Sequence, residues 1–252
     1  MSKHRSQLKI LAIFILANAL LAFLTFALKL YKNIPGQFDL NTLPKVPDWL
    51  LGIANGGIVI ILYSIMGFIG YWLARKINLP GIYRIGADWI SLFLLPLIIG
   101  LAVGLAMIFA DKIFTATNAW AGFPHPPFPM SIIASMTASI GEEILYRGFV
   151  LSLWAFLLNF FLKRWRLRSV TLTIANVIAA LAFGAAHLPG LMMMMHFKSI
   201  SSIPPIAIAE LFLLNGIVGL AAGDRFIRDG LVAAIGVHFW ADVVWHVIFP
   251  LI

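Results

Sequence analysis

"GEEILYRGFV", residues 141–150, decides how this chain is read. Two adjacent glutamates and an arginine stand inside an apolar run that extends from 131 to 158, longer than the roughly 20 residues that cross a bilayer as a helix. Glutamate occurs only at Glu142, Glu143 and Glu210, so most of the chain's glutamate is concentrated here. An ionisable side chain near the middle of a membrane costs several kcal/mol on most scales. Such residues therefore face a polar interior and point to function.

The rest of the sequence supplies the membrane setting. Of 252 residues 62% are hydrophobic and only 11% charged, against about 25% charged in an ordinary soluble domain. Mean hydropathy is +0.97. A soluble core of this length cannot hide so much apolar surface, so the bilayer is the expected solvent and partner. The formal net charge of +8 then reflects basic loops facing an anionic leaflet, not a nucleic-acid partner. With no cysteine, disulfides, thiolate catalysis and cysteine-ligated zinc are excluded. The basic start "MSKHRSQLK" resembles the head of a signal peptide, but the apolar run 10–28 after it is too long for one and reads as a retained span.

Working outward, the hydropathy pattern predicts an all-α polytopic fold with about seven spans (six to eight), near 8–30, 50–73, 89–110, 131–158, 169–187, 205–222 and 231–251. Residues 1–130 are expected to contribute three helices and their loops, and 131–252 a catalytic helical domain around a polar cavity. Loop charge sets orientation. Lys3, Arg5, Lys9, Arg75, Lys76, Arg84, Lys163, Arg164, Arg166, Arg168, Arg225 and Arg228 fall on one side. Lys29, Lys32, Lys45, Lys112 and Lys198 fall on the other. The imbalance predicts a cytoplasmic amino terminus, in what reads as a bacterial cytoplasmic membrane. "GLAVG" (Gly100, Gly104) and "GLAAG" (Gly219, Gly223) are small-xxx-small patterns that allow close helix approach. In "AGFPHPPFPM", 121–130, four prolines forbid a regular helix, and the segment reads as a rigid connector.

Three polar clusters stand in predicted spans, and each has the four-residue spacing that shares a helix face. Glu143 and Arg147 can pair, while Glu142, about 100° round the wheel, faces a cavity. Phe183 lies one turn before His187 and can wall the site. His238 and Asp242 share a face, so the acid can orient the imidazole. Together they suggest hydrolysis. A buried carboxylate can act as general base for water, a histidine can share the proton, and a second histidine with an adjacent group can stabilise an oxyanion. No serine is set up as a nucleophile, so water is the expected attacker. A buried polar network that merely joins helices is the simpler reading of any one cluster, but three such clusters on three spans argue against it.

In order and spacing these residues match known motifs. Glu142-Glu143-Ile144-Leu145-Tyr146-Arg147 fits EExxxR, Phe183 to His187 fits FxxxH, and His238 to Asp242 fits a third motif usually written HxxxN. Over 131–252 the chain resembles the CAAX protease and bacteriocin-processing family of intramembrane endopeptidases, related to type II CAAX prenyl proteases. The resemblance implies a helical bundle whose cavity opens to the membrane. It implies Glu142 and His187 as the water-activating pair, His238 and position 242 at the oxyanion, and Glu143, Arg147 and Phe183 in support. Position 242 departs from the family: an ionised Asp242 cannot donate the hydrogen bond that an amide can. Protonated, it can act as donor; ionised, it can hold His238 as imidazolium or bind a metal. No cofactor is fixed by the sequence; a zinc ion would need ligands among Glu142, His187, His238 and Asp242.

The expected activity is hydrolysis of a peptide bond in a membrane-associated peptide or protein. The rival is a non-enzymatic immunity or transport protein that uses the same buried charges for binding. Lesser candidates remain. His246, one turn beyond Asp242, reads as interfacial or as an extension of the site, Glu210 and Asn215 as cavity lining or helix joining, and Met192 to Met195 as an adaptable mouth or a plain loop. His4, His125 and His196 read as incidental loop residues.

Overall fold

A computed structural model describes residues 2–33, 44–117 and 123–252. Among them there is no strand, and seven helical elements are long and apolar enough to span a membrane. They are α1 (Ser2–Ala27), α2 (Asp48–Lys76), α3 (Ile90–Thr117), α4 (Met130–Trp165), α5 (Arg168–Ala186) continued by the short α6 (Leu188–Met194), α7 (Pro205–Asp229) and α8 (Leu231–Leu251). Large apolar side chains lie outside as well as inside: Ile61 of α2, Leu105 and Phe109 of α3 and Phe160 of α4 are all more than 60% exposed. Such a surface is stable only against lipid. The chain is an integral membrane protein.

Glycine sets how closely the helices approach. On α3, a Cβ at Gly100 would lie 2.6 Å from the Trp240 Cβ, and one at Gly104 2.5 Å from the Val244 Cβ. Both small residues of the first pattern therefore seat α8 against α3. The second pattern does the same for α7 and α5, with Gly219 against Ala180 and Gly223 against Asn176. Dispersion contact, with no water to expel, is what holds helices together in lipid.

The basic connector 77–88 is not a free loop. It docks on the α7–α8 corner: Leu231 N donates to the Gly81 carbonyl and Val232 N to the Ile82 carbonyl, each at 3.0 Å, satisfying amide groups that a helix start leaves open. Gln7, fully buried on α1, clamps the same loop by accepting from Ile82 N and donating to the Tyr83 carbonyl. The corner itself needs Gly230. Its φ is +99°, and a Cβ would lie 2.8 Å from the Tyr83 Cα. Arg84 and Arg225, counted above as topogenic charges, both pair with the buried Asp229, at 3.0 and 3.3 Å.

The fourth span runs past its expected end at 158: the helix continues through Leu162 and a final 3-10 turn to Trp165, and the chain reverses at Arg166, φ +57°. The 36-residue α4 is roughly 50 Å long against about 30 Å of hydrocarbon. It overshoots a straight crossing, so its basic end does not mark the depth of the acids. The proline-rich segment is more than a connector, because Phe123 and Pro124 line the central cavity.

Candidate active site

The geometry starts from a change of helical pitch. α4 is α-helical over Met130–Glu142, becomes a π-helix over Glu143–Leu151, and returns to α at Ser152. The wider π turn begins on the second glutamate, and π segments recur at functional sites. Gly141, just before the acids, lets the Tyr63 hydroxyl and Asn18 approach: a Cβ there would lie 2.5 Å from Tyr63 Oη and 2.7 Å from Asn18 Nδ2.

The two glutamates part as their wheel positions require. Glu143 is fully buried, and its Oε1 meets Arg147 Nη1 at 2.9 Å, with neither side chain exposed to solvent. The guanidinium carbon also stands 4.6 Å from the centre of the Phe183 ring, a cation–π contact in a dry setting. Glu142 keeps 29% of its side chain accessible and lines a cavity of about 440 Å³.

His238 joins them. Its Nδ1 lies 2.8 Å from Glu143 Oε1. Its Nε2 faces two more carboxylates, Asp242 Oδ2 at 3.5 Å and Glu142 Oε2 at 3.8 Å. The closest acid to the imidazole is thus Glu143, not Asp242 as the spacing suggested. Arg147, Glu143 and His238 form one buried chain, with charge alternating along it when His238 is protonated, and its last atom points at Glu142.

His187 arrives from the opposite wall. α5 ends at Ala186 because Pro189 follows and cannot continue the ladder. His187 N turns to the Gly184 carbonyl at 3.1 Å, which frees the Phe183 carbonyl for the histidine's own Nδ1 at 2.8 Å. That bond fixes the tautomer as Nδ1–H and leaves Nε2 for proton exchange. Phe183, 1% exposed, sits between the parts: its ring meets Tyr146, His187 and His238 edge-on at centroid distances of 4.8–5.4 Å.

Glu142, Phe183, His187, His238 and Asp242 all line this one cavity, with Glu143 and Arg147 behind it. Among the described residues no three His, Asp or Glu side chains form a group that could hold a metal ion. Several of the lesser candidates line the cavity too. His246 is one of them, and its Nδ1 lies 3.2 Å from that of His125. His125 packs edge-on against Trp245 and Phe249, and burial holds its pKa below the ordinary histidine range. Asn215 also lines the cavity, whereas Glu210 is buried at the α3–α7 contact, next to Asp111. Of the methionine run, Met194 reaches the cavity and Met192 packs behind it around Leu191. His4 bonds Tyr71 from within α1. The pairing of His125 with His246, far apart in sequence, left no local signal.

No curated protein and no solved structure matches the chain. Residues 124–244 match the model of the Rce1-like family, the type II CAAX prenyl endopeptidases, to which the three motifs point.

Proposed function

We propose that the protein is an intramembrane endopeptidase that cleaves a membrane-associated peptide or protein with water activated by Glu142 and His187. The observation that carries this reading is the division of labour between adjacent acids. Glu143 is tied to Arg147 and His238, while Glu142 faces the cavity that His187 also lines. In this scheme Glu142 takes a proton from water as the oxygen attacks the peptide carbonyl, with His187 Nε2 relaying that proton. The tetrahedral oxyanion is met by His238 Nε2–H, and by Asp242 when its carboxyl is protonated. Collapse breaks the C–N bond, and the departing amine receives the proton from Glu142 or His187. No step requires a metal. Loop charge supports a cytoplasmic amino terminus. The family's name points to prenylated CAAX termini, which belong in the substrate screen.

The test is Glu142→Gln, which keeps shape and removes the proton acceptor. The variant should fold and retain substrate while cleavage falls about 10²-fold or more. His187→Ala should be equally inactive, and the double variant little worse than either, because residues acting as one unit are non-additive. A parent protein that cleaves nothing in a broad membrane-peptide screen would return the chain to the binding or transport class.

A further inference from the structure

We infer that residues 123–129 are a fixed wall of the cavity, latched by the bond between His125 and His246, and that His125 is a positioning residue for the substrate. The second half of this inference rests on the peptidase reading; the first does not. The segment has prolines at 124, 126, 127 and 129, so much of its backbone lacks N–H groups with which to anchor itself. At its far end the Pro127 and Pro129 carbonyls accept from Ser131 and Ile133 at the start of α4. With so few N–H groups, side chains must carry much of the hold.

Two side chains do this. His125 Nδ1 meets His246 Nδ1 at 3.2 Å, across 121 residues of sequence. One ring must donate and the other accept, so at least one imidazole is neutral when the bond is made. The His125 ring is also wedged edge-on between Trp245 and Phe249, at 5.0 and 5.6 Å. Phe123, two residues earlier, packs both with the cluster that holds Trp245 and with the cluster of Leu191 and Leu211. It bridges two walls of the cavity that it lines with Pro124. His246 stands one turn beyond Asp242 on α8. The latch thus couples the proline segment to the helix that carries His238 and Asp242.

The chain's lack of cysteine makes the test direct. Gly190 lines the cavity, and a Cβ there meets no atom within 4 Å, so Gly190→Cys places a lone thiol in the cavity without a clash. Its reaction with a small water-soluble methanethiosulfonate is measured in detergent in three backgrounds: parent, His125→Leu and His125→Gln. Leucine fills space without a polar atom; the glutamine amide can still bond His246. Labelling should rise about five-fold in His125→Leu, the factor one hydrogen bond is worth, and stay near the parent rate in His125→Gln. Without the reporter cysteine, His125→Leu should raise KM for a cleaved peptide by a similar factor with kcat nearly unchanged. Unchanged labelling in His125→Leu overturns the latch, whether or not the protein is a peptidase. Raised labelling with unchanged KM overturns the positioning role. A parent that cleaves nothing is visible before any His125 variant is made and counts against the peptidase reading alone.

Discussion

Arg147→Ala removes one partner of an ion pair from which solvent is absent on both sides. Glu143 then keeps its bond to His238 Nδ1 but loses the guanidinium, and the Phe183 ring loses the cation 4.6 Å from its centre. Breaking a buried pair from one side costs about 3–5 kcal/mol, because the remaining charge stays buried. For a chain of this size each kcal/mol moves the melting temperature about 2–4 °C, so the drop should be roughly 6–20 °C. Arg147→Lys keeps the charge and loses the flat ring contact, worth about 2 kcal/mol when desolvated, and should fall between. Glu143→Gln with Arg147→Met removes both charges, while the amide oxygen still accepts from His238; it should recover more than half of the loss. The assay is thermal unfolding in one detergent, followed by circular dichroism at one fixed scan rate. An Arg147→Ala melt within about 2 °C of the parent would show that the pair does not stabilise the fold, and the chain from Arg147 through Glu143 to His238 would lose its basis.

Three further outcomes are expected. Asp242→Asn turns the side chain that lies 3.5 Å from His238 Nε2 into an amide donor; it should keep cleavage within about ten-fold of the parent, and a loss beyond 10²-fold in kcat would show that the carboxyl itself is needed. Gly104→Leu should cost about 1–3 kcal/mol by overpacking, since even a Cβ would lie 2.5 Å from Val244; Gly57→Ala, where nothing lies within 4 Å, is the harmless control in the same melts. The His125–His246 latch should loosen in acid. Because burial lowers the His125 pKa, the latched form binds fewer protons than the open one, and closure is favoured fully above about pH 6.5 and lost as pH falls below it. His246 and the aromatic rings of Trp245 and Phe249 face His125, while Lys112 sits over the Phe249 ring. Because acid also protonates the thiol, the readout is the ratio of Gly190→Cys labelling in the His125→Leu background to that in the parent; a ratio that does not fall towards one on acidification would contradict this sign.

What was readable in the sequence is what period and composition encode. Seven apolar runs gave seven spans, although the helices extend past the apolar stretches, to Lys76, Thr117 and Asp229, where polar residues carry on the backbone ladder. Spacing of four placed Glu143 beside Arg147 and turned Glu142 away, and the glycine pairs marked the α3–α8 and α5–α7 contacts. What was not readable depends on tertiary distance. Glu143 is the acid nearest His238 because two helices 95 residues apart meet there, and the i,i+4 rule could offer only Asp242. The π segment Glu143–Leu151 departs from the period of about 3.6 residues on which sequence reading relies. Proline content correctly excluded a helix at 123–129, yet rigidity is also what lets a segment serve as a wall.

The contact behind the acids reaches beyond the matched half of the chain. A Cβ at Gly70 on α2 would overlap the carbonyl of Gly148 on α4, and one at Gly67 would press on Ile144 at 3.3 Å. The helix that carries the glutamates is therefore backed, backbone on backbone, by a helix that lies outside residues 124–244. In protein engineering this is a rule of compatibility. A chimera that grafts 124–244 onto a foreign amino-terminal half keeps its acids in register only if the donor helix presents a glycine opposite Gly148. An alanine there would wedge the two halves apart at the level of the glutamates, without altering a single residue of the three motifs.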